Sequence, residues 1–114
     1  MAYDTTLADR ISAYLAAVPA IKFQEQKMFG GIGFMVNGKM CVNVSGQNLM
    51  CRFDPALWET LSQKTGFSPI IMKGKVYKGY CYLAPDSIKK QKELAFWLDL
   101  CLEYNSKIKT KNQV

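Results

Sequence analysis

Two apolar stretches, Gly31 to Val36 and Lys39 to Val44, flank an Asn37-Gly38 pair. No other feature of the chain limits its fold so strongly. Both central residues of a type I′ turn need positive φ, which Asn and Gly adopt at least cost, and the twist of that turn suits antiparallel strands. The pair therefore predicts a β-hairpin with a two-residue loop. That loop sets Val36 opposite Lys39, Met35 opposite Met40 and Phe34 opposite Cys41. A second turn signal, taken as a three-residue loop at Ser45-Gly46-Gln47, leads into a strand ending at Phe53. It sets Cys41 opposite Cys51 and Val42 opposite Met50. With a strand from Phe23 to Phe29, residues 22–53 predict a meander of four strands.

On either side the hydrophobic period becomes helical. Leu7, Ile11, Tyr14, Leu15 and Val18 predict a helix over 5–18, with Thr6 and Asp9 as a capping-box-like start and Pro19 as its stop. Asp54-Pro55 opens a second helix, Asp as N-cap and Pro where a missing N–H costs nothing. Leu57, Trp58 and Leu61 form its apolar face, and Gly66 ends it. Residues 69–72 and 76–83 read as two more strands around a Lys73-Gly74-Lys75 turn. Pro85-Asp86-Ser87 starts the last helix, with Ile88, Leu94, Trp97, Leu98, Cys101 and Ile108 on its inner side. The order is α-β4-α-β2-α. Hairpins rather than crossovers imply an α+β fold of two layers, an antiparallel sheet of about six strands with helices. Residues 1–106 make one domain, and 107–114 a basic tail expected to be flexible.

Strand alternation divides the meander into two faces. One carries Ile32, Phe34, Val36, Cys41, Leu49, Cys51 and Phe53. The other carries Met35, Met40, Val42, Val44 and Met50, with Arg52 beside them. Helices on one face leave the other wet and apolar, and such a face usually marks an interface. Methionine suits adaptable ones, so Met35, Met40 and Met50 are the candidate interface for a protein partner or a second copy in a homodimer. The alternatives are a last helix and flanking strands that bury both faces, or a two-residue second turn, which shifts the parity and mixes them.

Little in the chain suggests catalysis. It has no histidine, which removes imidazole acid–base catalysis, Ser-His and Cys-His couples and imidazole metal sites. Cys41, Cys51, Cys81 and Cys101 form no C-x-x-C pair and lie in apolar segments, the pattern of buried free thiols. Asp54, Glu59 and Asp86 sit at helix starts, where capping accounts for them. Gly30-Gly31-Ile32-Gly33 lacks the following helix that a phosphate loop needs, so bulges or close backbone approach explain it better. The expectation is a chain that is not an enzyme and holds no cofactor or metal. Residues 1–20 lack signal-peptide character and no apolar run reaches membrane-spanning length, which predicts a cytoplasmic protein without a membrane partner.

Lys and Arg total 15 against 9 Asp and Glu, a formal charge of +6. Arg10 and Arg52 are the only arginines, and the fork that reads bases is arginine's, so sequence-specific DNA reading is disfavoured. Residues 73–92 hold six lysines and one acid, Asp86. Lys75 and Lys78 interleave with Tyr77, Tyr80 and Tyr82, residues that stack bases on a sheet or simply make cross-strand pairs.

The run Lys27-Met28-Phe29-Gly30-Gly31, followed by Phe34-Met35-Val36-Asn37-Gly38-Lys39-Met40, resembles the N-terminal domain of the TfoX/Sxy competence regulators. Further similarities follow in order: Leu49-Met50 with Arg52, Pro55, Met72-Lys73-Gly74-Lys75, Gly79-Tyr80, Pro85, and Leu94 with Trp97. The resemblance covers about residues 1–106. It implies a small two-layer α+β domain in a bacterial cytoplasmic protein. It also implies a transcription or competence regulator that works through protein partners. It carries over no catalytic residue. Turns and bulges account for the motif residues Gly30, Gly31, Asn37, Gly38 and Gly74. Lys27, Arg52 and Lys75, the motif residues least explained by folding, form a candidate contact surface with Lys73 and Lys78. The expected function is a non-enzymatic regulatory and interaction domain; the alternative is a lysine-rich nucleic-acid-binding protein.

Overall fold

The structure is a computed structural model that describes residues 3–28 and 30–108. Helix α1 (Thr5–Ala16) precedes strands β1 (Phe23–Met28), β2 (Gly31–Val36), β3 (Lys39–Ser45) and β4 (Asn48–Arg52). A 3₁₀ turn (Pro55–Leu57) leads into the short α2 (Trp58–Leu61). Strands β5 (Phe67–Met72) and β6 (Lys75–Leu83), a second 3₁₀ turn (Pro85–Ser87) and α3 (Gln91–Lys107) complete the chain. The six strands form one sheet in the order β1-β2-β3-β4-β6-β5, with every neighbouring pair antiparallel. This is the expected α+β fold, with the expected order of helices and strands.

The Asn37-Gly38 turn forms as its chemistry requires, with φ of 52° and 83° and Val36 facing Lys39. The Asn37 amide donates to the Lys22 carbonyl at 2.8 Å, and its Oδ1 accepts from the Lys22 amide at 3.1 Å. The turn thus also fastens the start of β1. Lys73 and Gly74 make a second two-residue turn with φ of 52° and 75°, which leaves Lys75 inside β6 opposite Met72.

Two details of register differ from expectation. The second turn is the two-residue Gly46-Gln47, with Ser45 facing Asn48. Gly46 has φ of 60° and Gln47 is not in the positive-φ region, which is the type II′ pattern. The hairpin also bulges: Met35 faces Met40 but Phe34 faces Val42, so Cys41 is the extra residue. Val42 then faces Cys51, and Val44 faces Leu49. Val42 and Val44 therefore belong to the buried face and not to the methionine face. Burying two valines is the physical gain of the shift, since each would otherwise leave its apolar area wet.

Two rows cross the buried face, Ile32-Val44-Leu49-Leu83 and Phe34-Val42-Cys51-Cys81. They join one core with Leu7, Ala8, Ile11 and Leu15 of α1, Leu61 of α2, and Leu94, Trp97, Leu98 and Cys101 of α3. Ile88 enters that core from the link before α3. All the helices thus cover the same face. The four cysteines are free and buried in it. Burial pushes the Cys41 and Cys51 thiols up, and hydrogen bonds with Cys101 and Cys81 raise Cys51 further. Both stay protonated thiols.

The helix ends adjust the sequence reading. The N-cap of α1 is Asp4, whose carboxylate accepts from the Leu7 amide at 3.1 Å, and the helix ends at Ala16, not residue 18. Asp54 caps the second helical segment as expected, accepting from Ala56 at 2.9 Å, but Leu57 points to solvent. The Pro85 turn stands apart from α3, which begins at Gln91 with Glu93 accepting from the Lys90 amide at 3.1 Å. Lys39 holds the far end: its Nζ donates to the Asn105 and Ile108 carbonyls, each at 2.7 Å. Lys107 closes α3, and the rest of the predicted tail, from residue 109 on, lies outside the described residues.

Candidate interaction surface

Alternation places Gln26, Gly33, Asn43, Met50, Tyr82 and Ser68 in one row across the face that no helix covers. Around Gly33 this face is self-sealed. The Met28 side chain lies across Gly33, where a Cβ would come within 2.2 Å of Met28 Sδ. Asn43 is buried below and donates to the Met28 carbonyl at 3.2 Å.

At the β5 end the face opens into an apolar groove of about 510 Å³. Its floor is Met50 of β4 and Ile70 of β5, its outer wall is Pro69, Ile71 and Met72 of β5, and Tyr77, Tyr80 and Tyr82 line it from β6. Strict alternation would put Tyr77 on the opposite face from Tyr80 and Tyr82. The register explains their meeting: Pro69 faces Cys81 while Ile71 faces Val76, so β6 advances five residues where β5 advances two. Gly79 sits in that excess at φ of 107°, a conformation glycine alone adopts cheaply. A Cβ on it would also press Pro55 Cγ at 3.1 Å and the Phe53 carbonyl at 3.3 Å. The bulge at Gly79 thus turns three tyrosines to one side.

Met50 and Ile70 are each 6% exposed, forming a floor outside the main core. Ile71 is 58% exposed, and Met72, Val76 and Tyr77 are exposed beside it. Edge strands normally blunt such a surface. Here Pro69 removes one N–H from β5, but the apolar side chains remain.

The candidate residues of the sequence reading divide. Met50 lies in the groove, while Met35 and Met40 pair with each other farther along the open face. Met35 borders a separate hollow with Lys22, Gln24, Gln26, Asn37 and Gly38. Lys73, Lys75 and Lys78 are exposed on the β5–β6 hairpin that forms the groove wall. Lys27 sits on β1, the opposite edge of the sheet, and is not brought to them. Arg52 faces Tyr80, and its guanidinium carbon lies 5.7 Å from the Tyr80 ring centroid and 5.9 Å from that of Tyr104. Those cation–π contacts account for Arg52 structurally. Ile70 and Ile71 were not singled out in the sequence, and Met72 only as part of the resemblance, although three successive apolar residues on a strand must send at least one side chain to each face. The Lys39–Asn105 link had no signal, because it joins residues 66 apart.

A second hollow, about 620 Å³, lies beside the start of α3 and mixes Lys64, Lys92, Asp86 and Glu93 around Phe96. Its charges oppose one another, and Lys64 stands over the Phe96 ring at 4.7 Å. Among the described residues no three Cys, Asp or Glu side chains converge as metal ligands, and no helix is long and apolar enough to cross a membrane.

The family model of the TfoX N-terminal domain matches residues 13–104. Comparison with curated proteins and with solved structures finds no match. The matched span runs from within α1 to near the end of α3 and so includes the whole sheet and the groove.

Proposed function

The chain belongs to the TfoX N-terminal domain family, and from that premise we propose that it is a non-catalytic interaction domain that regulates transcription by holding a protein partner on the open face of its sheet. Membership supports a regulatory-type domain. One observation carries the rest: all three helices cover the same face, and the other presents an apolar groove with Ile71, Met72, Val76 and Tyr77 exposed. Exposed apolar area of this kind costs solubility unless a partner covers it. The lysines and tyrosines of the β5–β6 hairpin favour a second reading, binding of single-stranded nucleic acid by stacking. Against it, the Tyr80 ring already faces Arg52 and the groove floor and wall are aliphatic.

Photo-crosslinking separates the two. A crosslinking residue at Ile71 or Tyr77 should give the same discrete protein adduct in the native cell, and one at the exposed Ala13 of α1 should give none. Adducts from Ala13 alone, or nucleic-acid adducts from Tyr77, would overturn the proposal.

A further inference from the structure

We infer that the occupant of the β5–β6 groove is an acidic segment of another protein that carries bulky apolar side chains, an inference resting on the open-face reading above. The groove demands apolar atoms: Met50 and Ile70 form its floor, and Ile71 and Tyr77 stand exposed at its rim. Its surroundings demand negative charge. The stretch from Phe67 to Leu83 contains Lys73, Lys75 and Lys78 and not one Asp or Glu. A segment that inserts apolar side chains while setting carboxylates against those lysines satisfies both, and the charges steer its approach. A second copy of this chain fits poorly. A two-fold dimer sets the same patch against itself, so both lysine-bearing hairpins would share one interface with no acid between them, in a chain already at +6. Nucleic acid meets the charge but not the aliphatic wall.

The test uses four fluorescent probes: a short peptide alternating Asp and Glu with Leu and Phe, the same peptide with Lys for the acids, the same acids with Ser for the apolar residues, and oligothymidylate. Only the acidic apolar peptide should bind in the micromolar range, shifting the amide resonances of Met50, Ile71 and Tyr77. Joint Lys75→Glu and Lys78→Glu should weaken it about tenfold, as should joint Ile71→Ser and Tyr77→Ser. All four positions are exposed, so unchanged melting temperatures should accompany these losses. Equal binding of the lysine peptide, tighter binding of oligothymidylate, or a free chain that sediments as a dimer with Tyr77 buried would overturn the inference. If the acidic peptide fails while the Ile71 and Tyr77 adducts persist, the occupant class is wrong and the open-face reading stands. If both fail, both are wrong.

Discussion

At the scale of the residue, neighbouring glycines hold their places for different reasons. Gly31 has no room: a Cβ there would stand 1.8 Å from the Val44 carbonyl oxygen, a backbone atom that the sheet cannot give up. Gly30 has open space but φ of 73°. Gly31→Ala should therefore lose at least about 2–3 kcal/mol through forced backbone movement. Gly30→Ala should lose only about 1 kcal/mol, the cost of a left-handed residue. Denaturant unfolding of both variants checks this, and equal losses would mean that the β2–β3 approach yields. Lys39 makes a comparable point about charge. Its ammonium caps the carbonyl end of α3, where the helix dipole favours a cation. Lys39→Met should cost about 1 kcal/mol, seen as a melting temperature lower by about 4 °C. A silent variant would show that the contact brings no net stability.

Between elements, α1 is tied to α3 by the Tyr14 hydroxyl, which donates to the Asp99 carboxylate. That hydrogen bond, then burial, then the carboxylate's charge raise the Tyr14 phenol from 10.0 to about 12. The bond needs the phenol's proton. Its contribution is present in full below the unfolded pKa near 10 and disappears as pH rises towards 12. The stability difference between the parent chain and Tyr14→Phe should stay level from neutral pH to about 9 and shrink above 10. Phenolate absorbance should show a late ionisation near 12 that vanishes in the variant. A titration without a late tyrosine would count against the tie. The helices were legible because their apolar periods are local; of their caps the sequence reading placed Asp54 and missed Asp4. The two register errors arose because hairpin parity depends on single residues. An extra Cys41 and a turn shorter by one residue each move a whole strand's side chains across the sheet.

Across the whole molecule, apolar residues serve two surfaces of unequal solvation. Met50 is buried on the open face, whereas Met35 and Met40 are half-exposed there. Met50→Lys should bury an unpaired ammonium among Ile70 and the tyrosines and unfold the domain or lower its melting temperature by well over 10 °C. Met35→Lys and Met40→Lys should each stay within a few degrees of the parent, because their side chains can reach water. Thermal melts of the three variants decide it, and a well-folded Met50→Lys would mean that the groove floor is loose.

The Asn-Gly turn, the capping acids and the helical periods are short-range features, each encoded within a few neighbouring residues. From them alone the sequence determined the α+β class, the order of elements, the buried thiols and the Asn37-Gly38 hairpin. Lys73, Lys75 and Lys78 were legible as a charged cluster, because charge needs no tertiary context to be counted. The groove was not legible, because it depends on which face the helices choose and on the Gly79 bulge that brings Tyr77 beside Tyr80 and Tyr82. Both are settled by long-range packing, in which α3 meets β3 and β4 and a glycine relieves contact with Pro55. Only the tertiary structure decided that Lys27 stands at the far edge from the other lysines, because strand order separates in space what one charge count adds together.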